Sequence, residues 1–128
     1  RIANNKKHHN KYFQELYDIS GIQLPLFMLE KIGNFQYYPI RILDKFPISR
    51  DDLYNLFISQ GIFARRYFYP GCHNMQPYKD KYDRDTLLNT EKLSSQVLCL
   101  PCFPDLKEDD IQKVVALIKK ESEVCSCQ

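Results

Sequence analysis

The sequence predicts a small α/β (α+β) domain, a three-stranded sheet with flanking helices. Apolar residues recur at helical spacing at both ends of the chain, and short runs rich in β-branched and aromatic residues lie between them. Gly, Pro and capping residues punctuate the boundaries. Helical connections between successive strands favour one sheet with helices packed on it.

From Arg1 to Tyr17, Ile2, Tyr12, Phe13 and Leu16, with the half-apolar His9, fall at helical spacing. Lys6, Lys7, His8 and Lys11 make the opposite, solvated face. The helix opens without a cap, as the tail of a longer one would. Residues 18–34, with Gly21, Pro25 and Gly33, read as a connector. Phe35 to Leu43 is expected to be a strand, and Pro39, which cannot donate to a ladder, assigns it to an edge or a bulge. Ser49, with Asp52 three residues on, is close to a capping box. Leu53, Leu56 and Phe57 follow as the buried stripe of the helix it opens, and Gly61 is placed to end it with positive φ.

Ile62 to Tyr69 is expected to be the second strand, stopped by Pro70-Gly71, and residues 72–85 a polar and aromatic loop. A short helix is expected over Asn89 to Gln96, then a brief apolar strand over Val97 to Leu100, ended by Pro101 and Pro104. The last helix covers about Lys107 to Lys120. Glu108, Asp109 and Asp110 in its first turn and Lys119 and Lys120 in its last match the helix dipole. Ile111, Val114, Val115 and Ile118 form its buried stripe. Residues 121–128 are expected to be a loose tail. The order is α-β-α-β-α-β-α.

A chain of 128 residues suits one domain, and one that starts at Arg reads as a piece of something longer. A net charge of +2 is too small to imply a nucleic-acid partner. No apolar run approaches the ~20 residues of a membrane span, and the N-terminus lacks the order of a signal peptide. Five cysteines, an odd count, fit reduced thiols and a cytoplasmic location. The glycines form no phosphate-binding loop, and no Gly-x-Ser-x-Gly elbow is present. Cys99 and Cys102 have CxxC spacing, and Cys125 and Cys127 offer two further thiols. But Cys99 lies in an apolar strand where packing wants a small hydrophobe, so structural thiols and no metal are expected. Cys72 and His73, adjacent in sequence, are poorly placed to aim at each other for proton transfer.

The densest polar and aromatic run is Arg65-Arg66-Tyr67-Phe68-Tyr69-Pro70-Gly71-Cys72-His73. Strand alternation puts Arg65, Tyr67 and Tyr69 on one face, with Arg66 and Phe68 on the other. Two arginines in a strand are costly to bury, so at least one should meet an anion or the surface. The pattern leaves open a site for a polyhydroxylated or phosphorylated ligand and an edge strand with snorkelling arginines.

Ser49-Arg50-Asp51-Asp52-Leu53, the run from Gly61-Ile62-Phe63-Ala64-Arg65 through His73-Asn74-Met75-Gln76-Pro77-Tyr78, and Asn89-Thr90-Glu91-Lys92-Leu93-Ser94-Ser95-Gln96-Val97-Leu98-Cys99-Leu100-Pro101 carry a resemblance. In this order, over about residues 1–120, the chain resembles the C-terminal small domain of DegT/DnrJ-type (StrS-like) sugar aminotransferases. The resemblance implies a fold type I pyridoxal-phosphate enzyme, homodimeric, moving an amino group from an amino acid, commonly glutamate, to a nucleotide-linked keto-deoxysugar. Such chemistry serves deoxyaminosugars of cell-surface polysaccharides.

The resemblance also implies that the Schiff-base lysine and the groups around the cofactor ring belong to a large N-terminal domain. No catalytic residue is then expected in this chain, where Lys31 and Lys45 lie in connectors. By itself the chain is expected to be inactive and without bound pyridoxal phosphate. Where many members carry a His-Tyr or His-Phe pair, this sequence has Tyr67-Phe68, so a proton-transfer role is not carried over to Tyr67. The residues expected to bind substrate are Arg65, Arg66, Tyr67, Phe68, Tyr69 and His73. The rival reading is a non-catalytic binding module on the same fold.

Overall fold

The computed structural model of the chain describes residues 1–25 and 33–124. Helix α1 (Ile2–Leu16) is followed by strands β1 (Ile22–Gln23) and β2 (Tyr38–Ile42) and helix α2 (Arg50–Ser59). Short 3-10 turns at Cys72–Asn74 and Arg84–Thr86 precede helix α3 (Leu88–Gln96), strand β3 (Val97–Leu100) and helix α4 (Glu108–Glu123). The three strands form one antiparallel sheet in the order β1-β2-β3. An α+β domain with a small sheet and flanking helices was the expected class.

Two segments change their strand assignment. Ile62 to Tyr69 is not a strand: its only ladder contact is a bridge between Arg65 and Cys99. The chain then leaves extended backbone, with the Tyr69 N–H donating back to the Arg66 carbonyl at 3.0 Å. The third strand comes instead from Ile22–Gln23, inside the expected connector. A ladder of two residue pairs leaves almost no periodic signature in the sequence.

Strand β2 is central rather than at an edge, and Pro39 lies opposite Cys99 within it. The geometry removes the conflict. Cys99 exchanges both of its backbone bonds with Arg65, at 2.8 and 3.0 Å, on the far side of β3. Pro39 therefore occupies a non-hydrogen-bonded position of the β2–β3 ladder, and its nitrogen faces the other way. There, β1 pairs only with Arg41 and Ile42, so no donor is called for at Pro39.

The helices follow their caps and stripes. Ser49 caps α2: the Asp52 N–H donates to its Oγ at 3.1 Å, and its own N–H donates to the Asp52 carboxylate at 3.4 Å. Gly61 takes φ +72° just beyond the helix, as its position suggested. Helix α4 buries Ile111, Val114, Val115 and Ile118 and continues to Glu123, so residues 121–123 are helical rather than loose. Residues 125–128 of the expected tail, with Cys125 and Cys127, lie outside the described residues, as does Lys31.

Helix α1 buries Asn5, His9, Tyr12 and Leu16, whereas Ile2 and Phe13 are exposed. Tyr12 stacks on Tyr38 of β2 and donates its hydroxyl proton to the Pro101 carbonyl at 2.9 Å. Glu15 clamps α1 to α4 through Lys119 at 2.8 Å and also pairs with Lys11. Lys119, Gln112 and Lys11 hold its carboxyl down at about 2. No described helix is long and apolar enough to cross a membrane.

Two glycines with positive φ separate conformational strain from steric clash. At Gly21, φ +87°, an added Cβ would stand 2.7 Å from the Phe46 backbone, whereas Gly61 has open space. Gly61→Ala should cost only the left-handed penalty, about 1–2 kcal/mol. Gly21→Ala should cost clearly more in the same urea titration, and equal losses would count against this packing.

His9 sits edge-on to the Phe35 and Tyr38 rings and is 3% exposed. Burial lowers its pKa to about 4, outweighing a hydrogen bond with the Phe35 backbone. Because the unfolded chain takes up this proton first, the contribution to stability is full above about pH 6.5 and is lost as pH falls towards 4. Urea titrations across that window should give a slope that flattens in His9→Phe, by at most about 1.4 kcal/mol per pH unit for one proton.

Candidate functional site

The segment after α2 is held at two places. Ala64 is buried, and the double backbone bond to Cys99 fixes Arg65 against β3. From there Arg65 Nη1 donates to the Tyr67 hydroxyl at 2.5 Å, and the Tyr67 ring meets Tyr37 edge-on at 5.3 Å. This trio forms one wall of a cleft of about 650 Å³. Its floor includes Leu100 and Val114, and Gln36, Gln60 and Lys113 add polar groups. A fixed cation, two phenols and two amides over an apolar floor suit a ligand with both rings and polar oxygens.

Arg66 and Tyr69 point elsewhere. Arg66 Nη1 pairs with Asp51 Oδ1 at 3.0 Å, and its guanidinium lies over the Tyr54 ring at 4.3 Å and the Tyr69 ring at 5.0 Å. Arg50, only 3% exposed, covers Tyr69 at 4.8 Å and reaches the same Asp51 oxygen at 2.9 Å. Its Nη1 also donates to the carbonyls of Ser94 and Val97, at 2.8 and 2.9 Å. Partial burial works against the Asp51 carboxylate, but the two guanidinium groups hold its pKa below the ordinary value.

His73 is buried, and its Nε2 meets the Glu91 carboxylate, which also accepts from Asn74 Nδ2 at 2.9 Å. Phe68 is 72% exposed, its ring tilted against Tyr67.

The six residues expected to bind substrate thus fall into different surroundings. Arg65 and Tyr67 share the cleft, with Phe68 exposed beside them; Arg66 and Tyr69 belong to a part-exposed stack around Asp51; His73 is tied to α3. Tyr69 does not share a face with Arg65 and Tyr67, because the chain turns after Arg66 and alternation ends there. Of the two arginines, Arg66 finds its anion in Asp51.

Sequence reasoning passed over Arg50, Asp51, Glu91 and Tyr37. For Arg50 a signal existed: a cation in the first turn of a helix opposes the dipole and asks for a compensating partner. The other three carry no comparable mark, since partners 15 to 30 residues apart meet only through the fold.

Two of the described thiols, Cys99 and Cys102, are quiet. Burial pushes Cys102 up to about 11 and raises Cys99 as well. Among the described residues, no three His, Cys, Asp or Glu side chains come together to hold a metal. Each described lysine is exposed or, for Lys11 and Lys119, paired with Glu15. None has the desolvated setting that activates an amine for Schiff-base chemistry, so the described residues do not by themselves fit covalent attachment of pyridoxal phosphate.

Residues 1–119 match the model of the DegT/DnrJ/EryC1/StrS aminotransferase family. The chain belongs to this family. It is 40% identical over 109 residues to a dTDP-4-amino-4,6-dideoxy-D-glucose transaminase of Shigella dysenteriae, covering 85% of this chain and 30% of that protein. An Escherichia coli transaminase of the same name is 38% identical over 88 residues, 67% of this chain and 24% of the relative. The chain thus spans less than a third of these relatives' length. The fold superposes on DesI, solved in the presence of its TDP-sugar product, with a TM-score of 0.84 at 29% identity, over 98% of this chain and 33% of that one. Helicobacter pylori PseC shares the fold at 19% identity, with a TM-score of 0.82 over 96% of this chain and 33% of its own.

The three described thiols should separate cleanly on alkylation. Cys72 is exposed, whereas Cys99 is buried and Cys102 half-buried with its pKa raised. Timed iodoacetamide labelling at pH 7.5 with peptide mapping should therefore find Cys72 modified well before the other two. Early modification of Cys99 would contradict its position in the sheet.

Proposed function

We propose that this chain is the small domain of a pyridoxal-phosphate-dependent aminotransferase acting on a dTDP-linked 4-keto-6-deoxyhexose. The observation that carries the reading is the 40% identity, across 85% of the chain, to a transaminase named for the corresponding 4-amino sugar nucleotide. In this reading an amino acid, glutamate by the family's habit, gives its amino group to the keto carbon and leaves as the 2-oxo acid. The cofactor and its lysine belong to a large domain outside this chain, and the enzyme works as a cytoplasmic homodimer.

This chain's part is recognition. Arg65 offers a permanent positive charge to a sugar nucleotide's phosphates, and Tyr67 and Tyr37 offer hydroxyls and ring faces to its sugar or base. Phe68 adds an exposed ring at the same edge. Arg66, Tyr69 and His73 serve the site from behind, each already engaged by other side chains.

The full-length protein, given glutamate and dTDP-4-keto-6-deoxy-D-glucose, should form 2-oxoglutarate and an amino sugar nucleotide, read by mass spectrometry. Binding of the sugar nucleotide without turnover would favour a non-catalytic module instead. Tyr67→Ala should raise KM for the keto sugar, as loss of one hydrogen bond of about 0.5–1.5 kcal/mol would. Arg65→Ala should raise it further if phosphate is the partner. Stopped-flow measurement of the glutamate half-reaction should find it little changed. Equal slowing of both half-reactions would assign Tyr67 to the domain interface or the cofactor.

A further inference from the structure

We propose that Arg50 and Asp51 are positioning residues for the cleft: they gather Arg66 and Tyr69 into a stacked brace that leaves Arg65 and Tyr67 turned towards the ligand. This rests on the reading of Arg65 and Tyr67 as substrate-binding residues. Arg50 opens α2, where a cation faces the positive end of the helix dipole, and its side chain is 2% exposed. Such a charge needs partners from other elements. It takes the Ser94 carbonyl in the last turn of α3 and the Val97 carbonyl at the start of β3. These lie at the end of α3 where carbonyls lack helical partners and the dipole is negative. Arg50 thereby ties the start of α2 to the beginning of β3.

The same strand anchors the site segment. Arg65 is bonded to Cys99 of β3, and one residue later Arg66 is bonded to Asp51, which Arg50 also holds. A single oxygen, Asp51 Oδ1, serves both guanidinium groups, and the Tyr69 ring lies against each of them at 4.8 and 5.0 Å. Tyr54 packs on Arg66 at 4.3 Å. Three neighbours, Arg50, Asp51 and Tyr54, thus draw Arg66 and Tyr69 to one side of the turn, and Arg65 and Tyr67 are left to pair across the other. Without the carboxylate, two cations would face one ring with nothing between their charges, and Arg66 would leave for solvent. The turn would then lose its second anchor while keeping the bond to Cys99.

The test uses the full-length enzyme with dTDP-4-keto-6-deoxy-D-glucose and glutamate. Asp51→Ala should raise KM for the keto sugar by about five-fold or more, while the glutamate half-reaction stays within about two-fold. Because Asp51 acts through Arg65 and Tyr67, adding Asp51→Ala to an Arg65→Ala/Tyr67→Ala variant should raise KM little beyond that variant by itself. If the two effects multiply, or if Asp51→Ala slows both half-reactions alike, the brace is not a positioning device. It is equally ruled out if Tyr67→Ala raises KM and Asp51→Ala does not. If Tyr67→Ala leaves the sugar KM unchanged, the substrate reading of the cleft is what fails. Should Asp51→Ala not fold, Arg66→Gln removes the same link from the other, more exposed partner and is read in the same way.

Discussion

A pair of backbone hydrogen bonds between Arg65 and Cys99 organises both the sheet and the site. By turning the N–H and C=O of Cys99 outward, it leaves the β2 side of that position without a donor or acceptor to satisfy. A proline can therefore occupy the middle of the central strand. The same pair decides where the chain between α2 and α3 touches the sheet, and so where the side chains of Arg65 and Tyr67 project. A proline at either residue, which would remove one of the two N–H donors, would disturb the fold and the cleft together, because one contact serves both.

Around that anchor, the fold handles its buried polar groups in two ways. Arg50 keeps its charge and surrounds it with a carboxylate, two carbonyls and an aromatic face. His9 instead gives up its charge between two rings, burial lowering its pKa to about 4. The difference follows from the chemistry of the groups. A guanidinium cannot shed its proton in a protein and must be paired, whereas an imidazole can be buried neutral at modest cost. The first solution rigidifies the site side of the domain. The second leaves an acid-sensitive point beneath α1, next to a Glu15–Lys119 clamp that also needs its carboxylate ionised.

Family membership and side-chain geometry inform each other. The family match places residues 1–119 among the DegT/DnrJ/EryC1/StrS aminotransferases, and the described lysines are exposed or ion-paired rather than desolvated. The geometry then divides a run that the resemblance treats as a block. Five consecutive residues from Arg65 to Tyr69 send two side chains into the cleft, two into the Asp51 stack and one outward.

The sequence by itself determined the helices and the class of the fold. The Ser49 cap, the glycine after α2 and the apolar stripe and end charges of α4 act within a few residues, so their physics is written locally. It also determined the family, because long ordered motifs survive as text whatever their geometry. Only the tertiary structure decided that Ile22–Gln23 pairs while Ile62 to Tyr69 does not, that Pro39 is central, and that Tyr69 joins Arg66 rather than Tyr67. Each of these turns on a partner from a distant part of the chain: Ile42, Cys99 or Asp51. Alternation assumes that extended backbone continues, and it ends wherever such a partner captures a side chain and bends the chain towards itself.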